Sequence, residues 1–297
     1  MVRIQVIKAS KLAVTAALIL LAIVLALLSL RDDSGGREQT SAVTGGEAVA
    51  AFANASALPL VPGETRAPGA GGVRVEVVTS QPAPEDDFHP RVLIYHTHTY
   101  EAYSQVAGDP YQETEKWRTA DQTHSVVQVG EALSVLLENA GCQVTHDITD
   151  HELPDLRTAY TRSLKTLEGY AARGEQFDLY IDLHRNAYSQ GMRTCAVIDG
   201  QELAELMLMV GRGENYRDKP DFEANYAFAV RATQAINAQA DGLCRDVLVR
   251  TGRYNQHVGT PAVLIEVGHN ENTLNQALAS MPYLADGLLA GLRGDAS

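Results

Sequence analysis

The pattern of apolar and polar positions divides the chain into three stretches. Leu12 to Leu30, "LAVTAALILLAIVLALLSL", carries no charge and is close to the roughly 20 residues that take a helix across a hydrocarbon core. From residue 31 to about 88, no helical or strand period is sustained. Gly, Ala, Pro, Ser and Glu dominate there, the composition of a flexible linker. Only "GVRVEVVTS", Gly72 to Ser80, alternates enough to suggest a short edge strand.

Beyond the linker, strand and helix patterns follow one another to the end of the chain. Strands are expected at Val92–Tyr95, Cys142–Ile148, Phe177–Leu183, Arg193–Asp199, Leu206–Gly211 and Ala262–Gly268. Val126, Val129, Leu133 and Leu136 or Leu137 recur at helical spacing, and Gly141 is placed to stop that helix. Further helices are expected from Pro154 to about Ala172, from Asp221 to about Ala240, and from Asn270 or Glu271 onward. Short apolar strands alternating with helices predict an α/β fold, with a mostly parallel central sheet flanked by helices. The expected organisation is an N-terminal segment over 1–11, a single transmembrane helix over 12–30, a linker over 31–88 and a catalytic domain over 89–297.

Composition sharpens this picture. An apolar fraction of 45% is ample for a core, and a formal charge of −13 leaves no basic footprint for nucleic acid. Arg3, Lys8 and Lys11 precede the apolar run, which favours a cytoplasmic N-terminus and an extracytoplasmic remainder. The rival, a cleavable signal peptide, needs a small-x-small cleavage site that "SLRDDSGG" does not offer. Cys142, Cys195 and Cys244 are widely spaced, with no Cys-x-x-Cys pair. They read as free thiols, one disulfide being the alternative in an extracytoplasmic chain.

Three expected strands end in residues that carry chemistry. "VLIY" runs into His96-Thr97-His98, "LYIDL" into His184-Arg185-Asn186, and "AVLI" into Glu266-Val267-Gly268. If these strands are parallel neighbours, their ends converge where open α/β sheets bind ligands. Histidine and carboxylate suit zinc, whose catalytic sites have three protein ligands and an open position. The donors are a histidine of the His96/His98 pair, His184, and Glu101 or His124. Glu266 is placed to act as the base that takes a proton from water and returns it to a leaving amine. Arg185 and Arg253 are candidates to bind substrate carboxylates bidentately, Tyr254 and Asn255 to shape a groove, and Asn186 to orient His184 or hold substrate through its amide. Polar turn chemistry accounts equally well for His146 and His151. His89, His257 and His269 read as structural, with His269 near enough to Glu266 to line the site.

Taken together, "LIYHTHTYEAY", "VVQVGEAL", "HDITDHELPDLRTAYTRS", "IDLHRNA" and "RTGRYNQHVGTPAVLIEVGHNENTL" resemble the stage II sporulation protein P family, in order and spacing, from about Val92 to Leu289. The resemblance implies a zinc-dependent cell-wall hydrolase of the N-acetylmuramoyl-L-alanine amidase type, with endopeptidase activity associated, acting in forespore engulfment alongside sporulation proteins D and M. It places His96, His98 and His184 at metal or active-site positions and Glu266 at the acid-base position. Wider similarity to the zinc amidases of cell division puts a second ligand near His124, whereas the local sequence favours Glu101. Two rival functions remain: a peptidoglycan-binding scaffold without catalysis, and a zinc carboxypeptidase, for which His98-x-x-Glu101 is a superficial match.

Overall fold

The computed structural model describes residues 88–294. The anchor expected over 12–30, nearly all of the linker and the edge strand of Gly72–Ser80 lie outside the described residues. Among those described, no helix is long and apolar enough to cross a membrane.

The main sheet has six strands: β1 (Arg91–Tyr95), β2 (Gln143–Asp147), β3 (Leu179–Asn186), β6 (Leu206–Gly211), β7 (Cys244–Arg250) and β8 (Ala262–His269). Their order is β2-β1-β3-β8-β6-β7. β2, β1, β3 and β8 are parallel, β6 turns antiparallel to β8, and β7 pairs parallel to β6. The three strands that end in chemistry are therefore adjacent, in the order β1-β3-β8. "RTCAVID" does not join them. Only Ala196–Ile198 (β4) is extended there, in a two-stranded hairpin with Gln201–Leu203 (β5). β7 is an unexpected strand, because its exposed charges in "CRDVLVR" mask an edge strand's alternation.

The helices are α1 (Val126–Asn139), α2 (Ala159–Ala172), α3 (Phe222–Gln239), α4 (Leu274–Ala279) and α5 (Met281–Arg293). Ser125 caps α1, accepting from Val127 N at 3.2 Å, and Gly141 follows its end at φ +95°, where glycine avoids the steric cost other residues meet. Two helix starts differ from expectation. Pro154 precedes α2 without opening it, because Asp155 accepts from Arg157 N at 3.1 Å and forms a 3₁₀ turn first. The last helical segment begins at Leu274, where Thr273 and Gln276 make a reciprocal capping box, and Asn272 is drawn back to accept from His269 N at 2.9 Å.

Strand alternation sends successive side chains to opposite faces, and the two faces are covered unequally. Val92, Ile94, Leu179, Ile181, Leu183, Val263 and Ile265 enter the large core with Leu133 of α1, Phe228 of α3 and Leu288 of α5. Leu93, Tyr95, Tyr180 and Ala262 face the other way, in a small cluster with Leu167 of α2. One helix cannot cover six strands. The β8-β6-β7 half of that second face is left to line a cavity of about 490 Å³, to which Met207, Met209, Leu248 and Leu264 contribute.

Gly130 lets α1 lie close to β1 and β2, since a Cβ there would stand 2.6 Å from His146 Nε2 and 2.8 Å from His96 Nε2. In an open helix, Gly→Ala gains up to about 1 kcal/mol, while overpacking a filled site costs about 1–3 kcal/mol. The clash should win, so Gly130→Ala is expected to lower the thermal midpoint. A raised midpoint in a melting experiment would contradict this packing.

Candidate active site

His184 and Glu266 are direct register partners on β3 and β8. Asp182, two residues before His184, points to the same face of the same strand. Glu101 arrives from the loop after β1 and His98 from the end of that strand. His184 Nδ1 is 3.3 Å from Glu101 Oε2, and its Nε2 is 2.8 Å from Asp182 Oδ1, off the alignment of a hydrogen bond. His98 stands edge-on to His184, with ring centroids 5.3 Å apart, and Tyr160 of α2 stands edge-on to His98 at 5.7 Å. All except Asp182 line the 490 Å³ cavity, together with Glu266, Arg250 and Tyr254.

This group is held by bonds that use up its neighbours. Asp182 accepts from Thr97 N at 2.8 Å and from Thr97 Oγ1 at 2.7 Å, which fixes where the chain leaves β1. Arg185 N donates to Glu101 Oε2 at 3.1 Å. Its guanidinium donates to the carbonyls of Ala102 and Trp117, each at 3.0 Å, and of Asn186 at 3.3 Å. Glu152 accepts from Tyr100 N at 2.9 Å and from Arg118, and lies 4.0 Å from His98 Nδ1.

Burial and charge then set the protonation states. Burial lowers the His98 imidazole to about 4, its neighbour His184 adding to the effect. Burial also works against charge on His184, but Asp182 and Glu101 on either side raise it well above its ordinary value. Burial alone would raise Glu101, yet His184, Arg185 and His98 pull it down to about 2. Glu266 is the opposite case: burial pushes it up to about 7, with His184 only partly offsetting the effect. Two carboxylates in one pocket thus have separated affinities for a proton, the arrangement by which one acts as anion and the other as acid or base.

The structure brings His98, Glu101, His184 and Glu266 together and leaves other candidates elsewhere. His96 and His98 do not point to one side, because the chain bends after Tyr95. His96 turns into the α1 face, with Nδ1 2.9 Å from Leu183 O and Nε2 2.9 Å from His146 Nε2. His124 lines a different cavity, flanked by Asp121 at 2.9 Å and Asp109 at 3.1 Å. Arg185 is committed to backbone carbonyls and is only 9% exposed, so it braces the Glu101 loop and does not offer a free fork to substrate. Asn186 lines the cavity, but its Oδ1 accepts from Ala187 N at 2.8 Å; Asp182 is the residue beside His184.

Asn255 is buried and donates to Tyr160 O at 2.8 Å and Ser163 Oγ at 3.0 Å, so it pins α2 and does not form a groove wall by its amide. Tyr254 and Asn255 are both left-handed, at φ +50° and +54°, costing about 1–2 kcal/mol each. Arg253 lies outside the main cavity, beside Tyr216. His269 is buried against Arg193 O and does not line the site. His151 is also buried, bridging His96 O and Thr166, and all three cysteines are free.

Sequence reasoning passed over Asp182, Tyr160, Glu152 and Arg250. Asp182 had a signal: a charged residue inside a buried strand, two positions before a candidate ligand. The others are brought in by the fold.

A zinc ion is what the resemblance implies, and the residues present fit it by chemistry. Two imidazoles and a carboxylate border the cavity, and His98 Nδ1 and Glu266 Oε2 are buried without hydrogen-bond partners. Two ligands of one tetrahedral ion stand about 3.3 Å apart, the separation of Glu101 Oε2 and His184 Nδ1. No group of three or more such side chains among the described residues is already gathered around a common point. His184 is instead drawn between Asp182 and Glu101, where a proton fills the role an ion would take.

A family model described as stage II sporulation protein P matches residues 47–289. No curated protein matches the chain. Among solved structures, similarity extends to the CwlD amidase of Clostridioides difficile in complex with the GerS lipoprotein, at 14% identity and TM-score 0.44, covering 69% of this chain and 98% of that one. An N-acetylmuramoyl-L-alanine amidase of Clostridium difficile 630 is similar at 15% identity and TM-score 0.42, covering 69% and 96%. The amidase Ami1 of Mycobacterium abscessus is similar at 12% identity and TM-score 0.41, covering 70% and 99%.

The raised Glu266 carboxyl has a thermodynamic consequence. Between its ordinary value of 4.5 and about 7, the folded state keeps a proton that the unfolded state has lost, so stability falls as pH rises through this window. In metal-free protein, Glu266→Gln should remove that loss and be the more stable form at pH 8, by on the order of 2 kcal/mol, with the gap closing near pH 4. Parallel denaturant midpoints for the two proteins across this range would contradict the burial of the carboxyl.

Proposed function

The chain belongs to the stage II sporulation protein P family, and from that premise and the pocket's chemistry we propose that it is a zinc-dependent peptidoglycan hydrolase, an N-acetylmuramoyl-L-alanine amidase with additional endopeptidase action, working in sporulation. The observation that carries this reading is the pairing of His184 with Glu266 on adjacent strands, beside His98 and Glu101 on an uncovered sheet face.

His98, Glu101 and His184 would hold the ion, and Asp182 would orient His184 through its other ring nitrogen. When bound, zinc supplies Lewis-acid polarisation of the scissile carbonyl and an acidified water. Glu266, kept near neutrality in its proton affinity by burial, removes a proton from the attacking water and returns it to the leaving L-alanine nitrogen. Tyr160 lines the same cavity, with its ring edge-on to His98. The Tyr160 hydroxyl would donate to the carbonyl oxygen as negative charge develops there. The apolar run at 12–30 anchors this domain on the extracytoplasmic side of the membrane, linked through 31–88, where family resemblance supplies sporulation proteins D and M as partners.

Three product outcomes separate the readings when purified protein digests peptidoglycan with and without a chelator. Chelator-sensitive release of intact stem peptides identifies an amidase, release of terminal D-alanine a carboxypeptidase, and no product from zinc-loaded protein a binding scaffold. Glu266→Gln should keep its zinc while turnover falls about 10²- to 10⁴-fold; turnover like wild type would remove Glu266 from its role. Tyr160→Phe should lower kcat about 10²-fold with little change in KM, and an unchanged kcat would reject the donor role. Anchoring fails if the protein washes from membranes with its N-terminus near residue 31.

A further inference from the structure

The 490 Å³ cavity has a neighbour. Tyr160 and Tyr254 line both it and a second cavity of about 380 Å³, whose other walls include Thr161, Leu164, Tyr216 and Arg253. The acid-base pocket mixes two carboxylates with histidines and Arg185; the chain leading out of it carries two further cations. Arg250 stands at the end of β7 and lines the first cavity, while Arg253 lines the second three residues on.

Neither guanidinium has an ion-pair partner among the described residues. In a chain of net charge −13, Arg253 lines a cavity whose walls hold no carboxylate, and Arg250, though it shares its cavity with Glu101 and Glu266, is ion-paired with neither, so both keep donors for something that enters. Arg253 is also held in place, its guanidinium 4.5 Å from the Tyr216 ring and its Nη1 donating to Asp218 O at 3.4 Å. A guanidinium stacked on an aromatic ring keeps its edge donors available for an anion.

The segment between them is built for this shape. Tyr254 is left-handed at φ +50°, and its ring lies on Gly252, where a Cβ would meet Tyr254 Cε2 at 2.7 Å. Its ring is edge-on to Tyr160 at 5.8 Å, and Asn255 ties the turn to α2 through Tyr160 O. Strained backbone that is held by its surroundings gathers at ligand clamps.

We propose that Arg250, Arg253 and the Tyr160–Tyr216–Tyr254 groove form the subsite for the acidic peptide half of the substrate, gripping its free carboxylates while the neutral glycan half lies on the opposite side of the scissile amide. This rests on the hydrolase reading for the position of that amide, but not for the binding itself. A carboxylate would take the guanidinium edges, and the peptide backbone would lie across the tyrosine rings.

The test uses the full chain carrying Glu266→Gln, so that binding is read without turnover. Two synthetic stem peptides are titrated by calorimetry, one with free carboxylates and one fully amidated. The free-acid peptide should bind about 10- to 100-fold more tightly. Arg253→Ala should erase most of that preference, and Arg253→Lys should restore part of it, since charge returns without the fork. Equal affinity for the two peptides, or a preference untouched in the Arg250→Ala/Arg253→Ala double variant, overturns the proposal. If wild type fails to cut peptidoglycan while discrimination persists, the hydrolase reading falls and the subsite stands. If wild type cuts and discrimination is absent, the reverse holds.

Discussion

Everything at the site depends on keeping charged groups buried on a sheet face that one helix covers only in part. Asp182 and Glu101 bracket His184, and without a cation between them two buried carboxylates would repel one another and pay an uncompensated desolvation cost. His184 meets that need with a proton, and a metal ion can meet it by replacing the proton. Glu266, for which His184 and Arg185 only partly offset burial, meets it by holding its own proton up to about pH 7. One constraint therefore separates the roles of the carboxylates.

That constraint explains the extensive bracing around the loop after β1. Arg185 looks like a substrate residue in the motif, but its guanidinium is consumed by the carbonyls of Ala102, Trp117 and Asn186. It holds the Glu101 loop against β3 and adds positive charge behind Glu101. Thr97, bonded to Asp182 by backbone and side chain, fixes the exit from β1 so that His98 reaches the cavity. The pairing of His96 with His146 beside Gly130 fixes the same exit from the opposite side. The two histidines of His-x-His thus serve different faces of the sheet, one in packing and one in the cavity.

The unequal covering of the sheet also gives the cavity two ends of opposite character. Toward β3 lie the acid-base groups; toward the end of β7 lie Arg250 and the Arg253–Tyr254 turn. A ligand that met such different surfaces at its two ends would have one favourable orientation, which is how electrostatic complementarity fixes register.

Much of this was legible along the chain. Alternating apolar runs located five of the six main strands' neighbourhoods or positions, and local caps such as Asp221 before α3 and Gly141 after α1 marked helix ends, because these depend on residues a few positions apart. His184 and Glu266 stood out for the same reason, each following a buried strand. β7 did not stand out, since an edge strand with charges on its exposed face lacks the apolar run of a buried one. Which side chains gather was another matter: whether His96 or His98, and whether Glu101 or His124, reaches His184 turns on a bend after Tyr95 and on contacts 50 to 90 residues apart in sequence, such as those of His96 with His146 and Leu183. Sequence by itself determined the elements and the kinds of chemistry at their ends, because periodicity and side-chain type are local properties. Only the tertiary structure decided which side chains meet, which are used up in bracing, and which half of the sheet stays open, because those outcomes come from long-range packing and the low dielectric it creates.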